Sequence, residues 1–280
     1  MIPVTIVGFV LGAGILVVLV GRRRLHSLVE TEVRTLFADS TAAVGADQLR
    51  ARWDGLPEPV RLYLRFAVRD GTPAIRTARL QHGGVFRTKP DQRWLSIEGE
   101  QYFATAKPGF VWHARVRPAA LLWIEARDCL LSGRGNMLVK LLSTFSIADA
   151  RGAEIDQGAS LRWLAECAWF PYAFVGDSVQ WEAIDSRSAR VTLRREGLPV
   201  RAIIEVDDEG KLVQVRAERY RDVGGKAVLT PWTGRYGDYR EFGGFRVPAS
   251  VEVAWDLEKE PFSYARFRIT TLQYNVPDRF

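Results

Sequence analysis

An arginine and a glutamate four residues apart, Arg162 and Glu166, form the charged pair in this chain with the strongest physical claim to a role. They stand in residues 160–171, where Leu161, Leu164, Ala165, Ala168 and Trp169 recur at helical spacing and Trp163, Cys167 and Phe170 make a second apolar row. A helix that is apolar nearly all round is a buried helix. Two charges on it must be paired or face a cavity, because stranding them costs on the order of several kcal/mol. Asp128, beside Arg127, is a third member for such a network. The ordinary reading is an ion pair that pins the helix. The functional reading is the polar end of a ligand site walled by Trp112, Trp163 and Trp169. Nine Trp, eight Tyr and fourteen Phe are enough to wall an apolar pocket, and equally enough to fill a plain core.

Other constellations are weaker. Glu98 and Glu100 project from one face of a strand roughly 7 Å apart, a spacing acid/base carboxylates could use, but alternation makes such pairs on any solvated strand. Gly133-Arg134-Gly135-Asn136 lacks the Gly-Lys-Ser/Thr continuation of a phosphate loop and reads as a tight turn. His26, His82 and His113 are far apart in sequence, without the i,i+4 spacing of a helical metal site, so no metal ligand set is assigned. No HExxH or GxSxG occurs, and no cofactor is implied. Cys129 and Cys167 have no CxxC spacing and read as buried free thiols.

Composition bounds the rest. The chain has 280 residues, is 47% hydrophobic and carries a formal charge of +6, of which Arg22, Arg23 and Arg24 supply half. The remaining body is too weakly basic for a nucleic-acid footprint, so no nucleic-acid partner is expected.

These residues need elements to hold them. Residues 2–20 are an uncharged run long enough to cross a bilayer core of about 30 Å. It lacks the basic stretch before and the small-residue cleavage site after that would mark a signal peptide, so it reads as an uncleaved transmembrane anchor. The arginines after it place the rest of the chain in the cytoplasm, giving a single-pass protein of the bacterial inner membrane. Gly8 and Gly12 have the GxxxG spacing that packs two anchors into a homodimer. Leu25, Leu28, Val29, Val33 and Leu36 continue a helical stripe that lies on the bilayer or on the domain. Residues 41–45 look turn-like. Asp47 caps a short helix ending at Gly55, and Pro59 opens a second with Val60, Tyr63, Leu64 and Ala67 on one face. From Ile75 the period becomes two, with turn signals at Gly83-Gly84, Pro108-Gly109, Gly224-Gly225 and Gly243-Gly244. Residues 133–152 fit either a helical turn or a strand ending at Ala150. One helix, capped by Ser160 and running to Phe170, interrupts the strands; its apolar girth requires a sheet bent around it.

The motifs Leu56-Pro57-x-Pro59-Val60-x-x-Tyr63-Leu64-Arg65, Pro108-Gly109-Phe110-Val111-Trp112, Gly133-Arg134-Gly135-Asn136-Met137 and Arg162-x-Leu164-Ala165-Glu166-x-x-Trp169-Phe170-Pro171 resemble an uncharacterised family of bacterial membrane-anchored proteins. That resemblance covers most of residues 55–275 and implies no catalytic residues. The layout also looks like the half-barrels of bacterial lipoprotein carriers, a likeness of architecture that does not carry function.

The expected fold is α+β and mainly β: a strongly curved antiparallel sheet, an open barrel, wrapped around one central helix and preceded by a transmembrane helix and two short helices. The expected division is an anchor over 1–21, a juxtamembrane helix and linker over 22–45, and one domain over 46–280. The leading functional expectation is a membrane-anchored module binding a lipid or other apolar ligand through Arg162, Glu166, Trp163, Trp169, Trp112 and Asp128. The alternatives are an enzyme using Arg162, Glu166 and Asp128 on a lipid-like substrate, and a structural or interaction protein with a filled core.

Overall fold

Strict alternation of apolar and polar residues along most of the chain after residue 75 produces one sheet. A computed structural model describes residues 4–38, 40, 45–105 and 107–280. Three helices come first: α1 (Val4–Ala38), α2 (Ala46–Ala51) and α3 (Glu58–Ala67). Six strands follow as a meander: β1 (Thr77–Phe86), β2 (Leu95–Ala104), β3 (Gly109–Ala119), β4 (Leu122–Leu131), β5 (Arg134–Leu141) and β6 (Phe145–Ala150). Helix α4 (Ala153–Glu166) crosses over, and seven strands walk back: β7 (Val179–Ala183), β8 (Ser188–Leu193), β9 (Val200–Val206), β10 (Leu212–Val223), β11 (Lys226–Phe242), β12 (Phe245–Asp256) and β13 (Pro261–Tyr274). The order is β6-β5-β4-β3-β2-β1-β13-β12-β11-β10-β9-β8-β7, with the two meanders joined by antiparallel pairing of β1 and β13.

The curl of this sheet follows from what α4 touches. It packs against β3, β4 and β5 on one side and β9 and β10 on the other. Strands β4 and β10 are seven places apart in the sheet, about 34 Å if it were flat at ~4.8 Å per strand, whereas a helix is about 10–12 Å across. Only a sheet rolled into a half-barrel brings both walls to one helix. Leu161, Trp163, Cys167, Ala168 and Phe170 are accordingly fully buried at its centre. Pro59, Val60, Tyr63, Leu64 and Ala67 of α3 are buried as their spacing requires, and the Tyr63 hydroxyl donates to the Ala168 carbonyl.

Helix α4 starts earlier than its sequence suggested. Its N-cap is Gly152, at φ 121°, and Ser160 is interior, its hydroxyl donating back to the Asp156 carbonyl at 2.7 Å. The acidic residues before Ser160, Glu154 and Asp156, are helical because Asp156 has a tertiary partner: its carboxylate accepts from the Gly135 backbone N–H at 2.7 Å. The α-helix ends at Glu166, and residues 167–169 and 171–175 continue as 3₁₀ turns. Residues 133–152 are a hairpin, β5 and β6, ending at Ala150. Gly83-Gly84 is no turn but lies inside β1; a Cβ at Gly84 would meet the Arg266 carbonyl at 2.1 Å, so glycine there permits close pairing with β13.

The largest correction concerns the N-terminal helix. Among the described residues no helix is long and apolar enough to cross a membrane. That finding overturns the expected single-pass inner-membrane anchor and the cytoplasmic placement argued from it. The apolar run and the stripe after it form one continuous helix, α1, which already meets the turn between β5 and β6 at Gly21, where a Cβ would lie 2.9 Å from the Thr144 Cα. Leu25, Val29, Val33 and Leu36 are buried, and α1 packs on β2, β3 and β4, so the stripe lies on the domain. A Cβ at Gly12 would meet nothing within 4 Å, and the surroundings of Gly8 lie outside the described residues, as do residues 41–44 of the expected linker; no finding supports the homodimer.

Candidate functional site

Arg162, Glu166 and Asp128 do come together, on the concave face. Arg162 donates from Nε to Glu166 Oε1, from Nη1 to Asp128 Oδ2 and from Nη2 to Gln101 Oε1, each at 2.9 Å. Gln101 completes the circuit by donating from Nε2 to Glu166 Oε2 at 2.6 Å. The guanidinium also lies over Phe110 and Trp112, 5.0 and 4.8 Å from their ring centres. With only 16% of the Arg162 side chain and 12% of the Glu166 side chain exposed, this is a buried pair with its hydrogen bonds satisfied. Burial holds the Glu166 carboxyl above its usual range against the pull of Arg162.

Trp112 closes one side of the network. Its indole N–H donates to His82 Nε2 at 2.8 Å, the two rings lying parallel. Burial, with the Arg162 charge, pushes the His82 imidazole down to about 3, so it is a neutral acceptor. Trp163 and Trp169 are placed otherwise: their indole N–H groups donate to the Ala104 and Pro248 carbonyls, and they pack with Phe170 and Phe103.

A cleft opens elsewhere, where β10 outruns β9. Pairing of these strands ends at Ala217 and Ala202, while β10 continues to Val223 beside β11 alone. The gap is a cavity of about 430 Å³ walled by Leu198, Pro199, Ala202, Ala217, Tyr220 and Leu229, with Arg190, Arg201 and Arg216 also lining it. Gln157 of α4 reaches it, donating from Nε2 to the Glu218 carbonyl at 3.0 Å and leaving its Oε1 buried without a partner. Arg190 is paired with Glu182 at 2.8 Å and Arg216 more loosely with Glu205 at 3.8 Å. Among the described residues Arg201 has no carboxylate partner. Apolar walls, three arginines against the single carboxylate of Glu218, and one free polar atom suit an amphipathic anion.

On the convex face, under α1, a second polar group gathers. His113 of β3 and Glu125 of β4 are buried, and His26 of α1 leans over them, its ring 5.3 Å from that of His113. Burial would neutralise His113 and Glu125. Their mutual attraction, with Glu100 and Arg115, instead raises the His113 pKa and lowers that of Glu125 to about 2. Glu100 accepts from Arg279 Nε at 2.8 Å and sits 3.7 Å from His113 Nδ1. Glu98 is exposed, so Glu98 and Glu100 have different surroundings. Gly133 lies in the turn joining β4 to β5, at φ 76°, with Ser132 at φ 49°. Cys129 and Cys167 are both buried and free, burial lifting the Cys129 thiol to about 11.

Sequence reading missed Gln101, Gln157, Arg201, His26, His113 and Glu125 as site members. No spacing rule could have found them, because each site is assembled from elements tens of residues apart.

Comparison with known proteins adds the family. The model of a family described as "Family of unknown function (DUF6544)" matches residues 48–267. No curated protein matches. Solved structures with a similar chain path include a DUF1329 family protein from Desulfovibrio piger, 14% identical, with 81% of this chain and 93% of that one covered and a TM-score of 0.43. A putative outer membrane lipoprotein-sorting protein domain from Vibrio parahaemolyticus is 9% identical, covering 71% and 86%, at 0.40. A LolA superfamily protein from Nitrosomonas europaea is 11% identical, covering 84% and 95%, at 0.40.

Proposed function

We propose that this chain, which belongs to the DUF6544 family of unknown function, is a binding module for a small amphipathic molecule with an apolar chain and an anionic end. The observation that carries this reading is the cleft between β9 and β10. Its volume of about 430 Å³ falls in the range of small-molecule pockets, about 300–1,000 Å³. The apolar walls would take the chain, Arg201 would meet the charge, and Gln157 Oε1 offers an acceptor to a protonated group.

In this reading the Arg162 network fixes α4, and hence Gln157, rather than touching ligand. Neither this cleft nor the pocket on the convex face is lined by Arg162, Glu166 or Asp128. A second reading, an interaction protein with a filled core, is favoured by the same saturation and by the complete burial of Trp163.

Calorimetric titration of the full chain with dodecanoate separates the two. The binding-module reading expects saturable binding, weakened about tenfold or more by Ala217→Phe, which fills the cleft, and by Arg201→Glu, which reverses its charge. No saturable heat, or wild-type affinity in both variants, would exclude the cleft as the site.

A further inference from the structure

On the opposite face of the sheet, we infer that His26, His113 and Glu125 form a binding site for a divalent transition-metal ion, with a fourth position open to a surface pocket. Each residue offers one ligand atom, and the three atoms lie within 4.8 Å of one another. The residues come from three elements, α1, β3 and β4, so only the docking of α1 on the sheet completes the set.

These atoms lack hydrogen-bond partners. His26 Nε2, His113 Nε2 and Glu125 Oε2 are all buried without a hydrogen-bond partner. Leaving one buried polar atom unpaired costs about 1–3 kcal/mol, and three converging on one point require a common explanation. His113 Nε2 lies 3.9 Å from Glu125 Oε2, and His26 Nε2 lies 4.0 Å from Oε1, the oxygen that Arg115 holds; both are too long for hydrogen bonds.

The surroundings resemble the support a metal ligand needs. Glu125 Oε1 accepts from Arg115 Nε at 2.9 Å, which turns Oε2 toward the histidines. His113 presents Nδ1 to Glu100 at 3.7 Å, and Glu100 is itself held by Arg279. A carboxylate behind the far nitrogen of a histidine fixes its tautomer and raises its basicity toward a metal.

Spacing favours tetrahedral coordination. With bonds of about 2.1 Å, ligand atoms stand about 3.4 Å apart on a tetrahedral ion and about 3.0 Å apart on an octahedral face. The observed separations are wider than both and nearer the first. Of the three, His26 has the most exposed side chain, at 36%, and so the most room to close the remaining distance. Two nitrogens and one oxygen with an adjacent pocket of about 510 Å³ match the three-ligand zinc sites that keep a position for water or substrate. The site stands independently of the ligand cleft.

The test uses the full chain, stripped with chelator and dialysed against Zn²⁺ alone. One tightly held Zn²⁺ per chain is expected, with affinity reduced at least about tenfold in His26→Ala and in Glu125→Gln and unchanged in Asp91→Asn, a change at an exposed loop far from the pocket lining. Co²⁺ added to the wild type should give the intense visible absorption of a four-coordinate ion, a readout that needs no variant to fold. The absence of stoichiometric Zn²⁺ and of that absorption, or wild-type affinity in both ligand variants, would overturn the site.

Discussion

Arg162 spends its guanidinium on two carboxylates, one amide and two aromatic faces, and the consequences of removing it are correspondingly unequal. Arg162→Ala leaves Asp128 and Glu166 buried without their cation, and is expected to cost about 3 kcal/mol or more. Glu166→Gln keeps an acceptor for Arg162 Nε and removes a charge that burial already disfavours, so its expected cost is about 1 kcal/mol. Urea denaturation midpoints of the two variants check the order; equal midpoints would mean that the network does not hold α4. The Arg162 and Glu166 pairing was legible because i,i+4 spacing on an apolar helix leaves two charges little choice. Gln101 and Phe110 were not, since strand register alone brings them under the helix. His26, His113 and Glu125 were hidden for the same reason, and each looked ordinary where it stood.

At the scale of elements, periodicity identified the strands and helices better than it fixed their ends or partners. The stripe Leu25, Val29, Val33 and Leu36 announced a buried helix face, but a stripe of leucine and valine suits a bilayer and a sheet equally. Only the contacts with β2, β3 and β4 decide between them. The start of α4 was misread because Glu154 to Gly158 is polar, and polar residues before an apolar helix look like a lead-in. Gly135 carries the close contact that makes them helix. A Cβ there would lie 2.7 Å from the Ile155 carbonyl and 3.0 Å from the Ala159 Cβ, where β5 meets α4. Gly135→Ala is therefore expected to lose about 1–3 kcal/mol from overpacking. The thermal midpoint of that variant should fall well below that of Gly133→Asn, a change in an open turn. A midpoint unchanged from wild type would contradict this contact.

As a whole, the molecule divides its tasks between the faces of one sheet. The concave face is filled by α4 and its aromatic neighbours, and the polar network there is closed on itself. The convex face carries α1 and the polar groups that α1 leaves without partners. The sheet is also open where β10 parts from β9, and there we place the ligand. Hydrogen exchange of the full chain with and without saturating dodecanoate compares these regions in one measurement. Slowed exchange is expected in residues 200–206 and 217–220, with residues 101–112 and 162–166 unchanged. Protection confined to residues 101–112 and 162–166 would put the ligand under the helix instead and contradict the cleft.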